Sequence, residues 1–202
     1  MRTNLIDGYI DQFMESHMIP GIGVGICVDG RVLYEKVKGT GNTGTDKKLT
    51  DRAMFPMASI SKVFSATAAM QLVEEKLITL DDSILKHLPG LRPCDTGYGD
   101  VSLQQILSHT SGIPDLRDYD WLHPQYDDGA AIRYLEEVST VPLFAVPGEE
   151  YQYSNRAYNI IASLVQYLTH TVFEQRVQEK IFSPLGMNDA TFLYNDIDHE
   201  RR

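Results

Sequence analysis

Three observations in this sequence predict an α+β protein. Two alternating apolar runs, Ile22–Val28 and Arg31–Val37, flank the dipeptide Asp29-Gly30. From Ser59 to Phe182 the apolar residues recur mostly at helical spacing. Pro- and Gly-containing breaks cut that helical region into short pieces. The expected architecture is a largely helical subdomain beside a partial α/β subdomain made of an N-terminal helix and a β-hairpin. The division is placed at 1–54 and 55–202.

Leu5, Ile6, Tyr9, Ile10, Phe13 and Met14 fall on one helical face, with Asp7, Asp11, Gln12 and Glu15 between them. Ile22, Val24, Ile26 and Val28 then alternate with Gly23, Gly25 and Cys27, as a strand requires. Asp29-Gly30 is a strong two-residue hairpin signal, because both residues tolerate positive φ. The glycine-rich stretch 39–50 reads as a loop. A long helix is expected from Ser59 to about Lys76. Its residues Val63, Phe64, Ala66, Ala69, Met70, Leu72 and Val73 leave little polar face, so it is expected to be buried. Further helices are expected over 80–88, 101–108 and 130–139, and around Ile160–Leu168. Thr171-Val172-Phe173-Glu174 has the pattern of a capping box opening a helix through about Phe182.

The chain has 202 residues and a formal net charge of −10. That charge argues against a nucleic-acid partner, which needs clustered Lys and Arg, and against docking on anionic lipid. No apolar run is long enough to span a membrane. The N-terminus lacks the apolar core of a signal peptide, so a cytoplasmic location is expected. Cys27 is expected to be a small core residue and Cys94 a loop residue. Neither cysteine suggests a metal site, and no cofactor is expected.

Met57-Ala58-Ser59-Ile60-Ser61-Lys62 holds the first candidate chemistry. A serine hydroxyl needs a neighbouring base to become a nucleophile. Positions i and i+3 of a helix share a face, which would set Lys62 beside Ser59. By itself, S-x-x-K reads more readily as a capping serine followed by a solvated lysine.

Tyr153-Ser154-Asn155 changes that reading. Together with Phe55–Lys62, Leu77–Asp82, Leu107–Asp115, Pro147–Asn155 and Pro184–Met187, it resembles the serine β-lactamase and penicillin-binding-protein-like family. The resemblance is nearest to the class C type with its esterase and D-peptidase relatives. It implies that Ser59 is the acylated nucleophile and that Lys62 helps to deprotonate it. Tyr153 corresponds to the tyrosine of the Y-x-N motif, and a tyrosinate there is an alternative base to Lys62. Asn155 corresponds to the asparagine that binds substrate and holds the lysine. The residues alone also allow Asn155 as a helix N-cap, or in both roles. Tyr119, Trp121 and Tyr126 are candidates for lining a substrate cleft. His109 occupies a turn position in the matching stretch, and the other histidines show no ligand spacing. The implied substrates are small molecules or peptides: β-lactams, D-alanyl peptides or small esters.

The family's third motif, K-T-G or H-x-G, does not occur after Asn155. Lys38-Gly39-Thr40-Gly41 is similar text in the wrong place, before Ser59. The resemblance therefore implies that the C-terminal strands of the family sheet are missing, along with one oxyanion-hole donor. Two strands alone make a marginal sheet with open edges. The expectation is an N-terminal portion of a longer protein, or a chain whose sheet is completed by a second polypeptide or a second copy. A non-catalytic remnant or ligand-binding half is the other reading.

Overall fold

The local signals above resolve into elements in a computed structural model, which describes residues 3–44, 47–117, 119 and 123–193. The described residues divide between Pro56 and Met57 into two compact units.

In the first unit, α1 (Thr3–Ser16) precedes β1 (Gly21–Val28) and β2 (Arg31–Gly39). The strands pair antiparallel, with Val28 opposite Arg31. Asp29 and Gly30 have φ of 49° and 70°, the positive pair that a tight hairpin turn demands. Ile26 pairs with Tyr34 but Cys27 with Val32, so Leu33 bulges out of register. Tyr34 is buried, and its hydroxyl donates to Asp7 Oδ1 at 2.8 Å, fastening β2 to α1. Lys36 adds an ion pair to the same carboxylate at 3.1 Å. Cys27 is exposed, against expectation. It shares its strand face with Gly23 and Gly25, which have no side chains to build a packed layer around it.

The second unit is helical. A 3-10 turn over Ala58–Ile60 leads into α2 (Ser61–Glu74). After a 3-10 turn at Ile84–Lys86 come α3 (Leu103–Leu107), α4 (Ala130–Ser139), α5 (Asn155–Thr169) and α6 (Phe173–Val177). Helix α6 runs on as one π-helical stretch, Gln178–Phe182. Helix α5 is the central element, packed on both α2 and α4. It buries Ala157, Ile160, Ile161, Leu164 and Val165. Ala68 and Ala69 of α2 are fully buried, and such small side chains allow close helix approach. Leu72, Ile78, Ile84, Leu103, Ile106 and Leu135 are among the other side chains of this core.

Four expectations need correction. The α-helix begins at Ser61, two residues after Ser59. Helix α2 is not buried all round: Val63 and Met70 are 62% and 43% exposed and continue from Ile60 just before the helix, at 55%, as a stripe opposite Ala69 and Leu72. The expected capping box at Thr171 does not form. Val172 is the N-cap of α6, and the Thr171 hydroxyl donates instead to the Thr169 carbonyl. A complete capping box stands at Ser102 and Gln105, opening α3. The expected helix over 80–88 is reduced to the turn at Ile84–Lys86.

Candidate active site

Two loops and two helix starts converge on Ser59. The chain reaches it through Ala58, whose φ of 45° is costly for a residue with a Cβ. That reversal sends the chain into the 3-10 turn and on into α2, leaving Ser59 exposed and Lys62 half-buried one turn later.

The segments after α3 and before α5 are interlocked by backbone hydrogen bonds. Phe144 N–H donates to the Gly112 carbonyl, Gly148 N–H to Thr110, and Gln152 N–H to His109. Gly112 has φ of 75°, and a Cβ there would stand 2.2 Å from the Ala145 carbonyl oxygen, so only glycine fits. The His109 ring packs on Tyr153 with centroids 4.5 Å apart, and its Nδ1 accepts the Ser154 N–H at 3.2 Å. Burial, and then the charge of Lys62, push the His109 pKa down. His109 thus reads as a neutral ring that holds the Tyr153 segment in place.

All four sequence-predicted site residues come together. The Tyr153 hydroxyl donates to Ser59 Oγ at 2.7 Å. Lys62 Nζ donates to Asn155 Oδ1 at 2.5 Å and lies 4.8 Å from the Tyr153 ring centroid. Burial tends to raise the Tyr153 pKa, but its hydrogen bonds to Lys62 and Ser59 and the Lys62 charge outweigh it, leaving the phenol below its usual 10. The arrangement can therefore pass a proton between the serine and tyrosine hydroxyls while a cation stabilises the tyrosinate.

Asn155 is not the N-cap of α5. Ser154 takes that role, its hydroxyl accepting the Ala157 N–H at 3.0 Å. Asn155 is the first helical residue, and its side chain is released toward Lys62.

Ser59, Lys62, Tyr119 and Asn155 line a cleft of about 540 Å³ that continues past Ser65 and Asn159 to Phe173 and Phe192. Of the three aromatic candidates, Tyr119 lines this cleft. Tyr126 is 52% exposed and outside its lining. Trp121 lies outside the described residues. Sequence reading gave no role to Tyr158, whose ring centroid is 5.5 Å from Lys62 Nζ. It gave none to Asp115 either. No pattern in the chain marks either contact, because each spans about forty residues or more. Among the described residues, no cluster of three His, Cys, Asp or Glu side chains could hold a metal ion. Among them too, no helix is long and apolar enough to cross a membrane.

Comparison with known proteins gives the family and the fold. Residues 6–202 match the family described as Beta-lactamase. Penicillin-binding protein 4 of Amycolatopsis lactamdurans is 30% identical over 91% of this chain and 47% of its own length. A penicillin-binding protein homologue from Pyrococcus abyssi, described as octameric, superposes with a TM-score of 0.74 at 30% identity. That match covers 93% of this chain and 44% of the homologue. EstCE1, described as a hydrolase with promiscuous acyltransferase activity, shares the fold at a TM-score of 0.74 and 24% identity. It covers 91% of this chain and 51% of EstCE1. The chain thus spans under half the length of the curated relative, and about half or less of the two structures.

Proposed function

The chain belongs to the Beta-lactamase family, and from that premise we propose that it carries the nucleophile half of a serine hydrolase site acting on an amide or ester. With Tyr153 ionised to its phenolate, Ser59 Oγ attacks the carbonyl carbon and passes its proton to the Tyr153 oxygen. The carbonyl π-electrons move to oxygen, giving a tetrahedral oxyanion. Collapse of that intermediate expels the amine or alcohol, which takes the proton from Tyr153. Water then attacks the Ser59 ester by the same path in reverse, releasing the acid and restoring the serine. Lys62 stabilises the tyrosinate, and Asn155 holds Lys62. The substrate classes are β-lactams, D-alanyl peptides and small esters.

The observation that carries this reading is the 2.7 Å contact from Tyr153 to Ser59, made by a phenol whose pKa is held down by Lys62. The test is covalent labelling with a fluorophosphonate and with a labelled penicillin, read by intact mass. Wild type gains one adduct and Ser59→Ala gains none. A wild type that stays unlabelled under all conditions overturns the reading.

A second reading rests on a specific observation. The residues after Asn155 contain no K-T-G or H-x-G motif, and Ser59 is open to solvent. Removing one oxyanion donor typically costs about 10²–10³ in rate. On this reading the residues present bind a ligand, and turnover needs an oxyanion donor that they do not supply.

A further inference from the structure

The geometry points to Asp115 as a positioning residue: its carboxylate sets which way the Asn155 amide faces, and through that amide it fixes Lys62. An asparagine side chain offers a carbonyl oxygen on one side and two N–H donors on the other, and its neighbours decide its orientation. Here Asn155 Nδ2 donates to Asp115 Oδ2 at 3.3 Å and to the Tyr119 hydroxyl. That hydroxyl in turn donates to Asp115 Oδ2 at 3.3 Å. Both amide hydrogens are thereby engaged, and Oδ1 is left for the Lys62 ammonium. A flipped amide would set its oxygen against the Asp115 carboxylate and its hydrogens against Lys62. Both contacts would be repulsive.

Asp115 is well placed for this. Its Oδ1 accepts the Asn155 backbone N–H at 2.8 Å, at the positive end of α5, a site that favours an anion. Burial opposes its charge, but the N–H groups of Leu116, Asn155 and Arg156 and the Asn155 amide prevail, so its carboxyl stays below the usual range. The loop that carries it is anchored from the other side. Arg156 is 9% exposed, and its Nη1 donates to the Pro114 and Asp115 carbonyls at 3.1 and 3.0 Å. Arg156 Nη2 reaches Glu137 of α4 at 3.3 Å. The carboxylate therefore sits on a rigid frame, as a positioning group must.

The test compares Asp115→Asn and Tyr119→Phe with wild type by NMR of the Asn155 side-chain amide. Asp115→Asn removes the charge and keeps the shape, and its amide oxygen can still accept the Asn155 backbone N–H. Tyr119→Phe leaves the bond from the Asn155 backbone N–H to Asp115 in place. We expect the Asn155 amide hydrogens to exchange with solvent at least 10-fold faster in Asp115→Asn, and faster than wild type in Tyr119→Phe. Exchange within 2-fold of wild type in both folded variants overturns the proposal. Should Asp115→Asn not fold, Tyr119→Phe decides by the same criterion.

A second arm rests on the nucleophile reading above. The Ser59 labelling rate falls at least 10-fold in Asp115→Asn, and less than 2-fold when the same change is made on Asn155→Ala. Equal losses in both backgrounds would mean that Asp115 acts independently of Asn155, and overturn the proposal. A wild type without label sinks the hydrolase reading, and the amide arm then decides Asp115 alone.

Discussion

Three consecutive residues divide three tasks at the start of α5. Tyr153 faces Ser59, Ser154 caps the helix, and Asn155 faces Lys62. The arrangement makes a prediction about pH. A tyrosinate base gives a Ser59 labelling rate that rises with pH through the Tyr153 pKa, which lies below 10. Lys62→Met removes the neighbouring cation, so the Tyr153 pKa rises and the inflection moves to higher pH. Tyr153→Phe abolishes the inflection and lowers the rate by about 10²–10⁴. A Tyr153→Phe variant with the wild-type profile rejects Tyr153 as base. If Lys62→Met instead abolishes the inflection and Tyr153→Phe keeps it, Lys62 is the base. The quartet of Ser59, Lys62, Tyr153 and Asn155 was legible in the sequence because each residue lies in a short motif of fixed spacing. The choice of cap was not. Serine and asparagine cap helices about equally well, and a one-residue difference in where α5 begins decides between them.

Elements were legible where local chemistry alone determines them. The Asp29-Gly30 turn needs only two residues of positive φ, and α1 needs only its apolar stripe. Capping was harder to read. Thr171-x-x-Glu174 and Ser102-x-x-Gln105 both have the pattern, and only the second forms. At Thr171 the chain leaves α5 through His170, whose φ is 56°, and that reversal directs the threonine back to Thr169. The two sites should therefore respond differently to the same change. Ser102→Ala loses a partly buried cap bond and should cost about 1 kcal/mol. Thr171→Ala should stay within about 0.5 kcal/mol of wild type. Urea unfolding of both variants measures this. A Thr171→Ala loss as large as that of Ser102→Ala would mean that the threonine does cap α6.

At the scale of the whole molecule, the sequence reads α2 as a buried helix because apolar residues occur on all its sides. A helix of that kind needs partners all round. Ala68, Ala69 and Leu72 find theirs in the helical core, whereas Ile60, Val63 and Met70 stay open. A sequence shows that a face is apolar and is silent on which chain supplies its cover. The two faces of α2 therefore differ in what they contribute to this chain by itself. Leu72→Ala removes a side chain that is 1% exposed and should cost about 2–5 kcal/mol. Val63→Thr combined with Met70→Gln alters side chains already in water. In the chain alone, their unfolding midpoint should match wild type within about 0.5 kcal/mol. The measurement is a denaturant titration repeated over a range of protein concentrations. A midpoint that is the same at every concentration, and the same in the double variant, means that α2 presents this face to solvent. If wild type gains stability with concentration and the double variant does not, a second copy of the chain covers Val63 and Met70, because association stabilises by mass action.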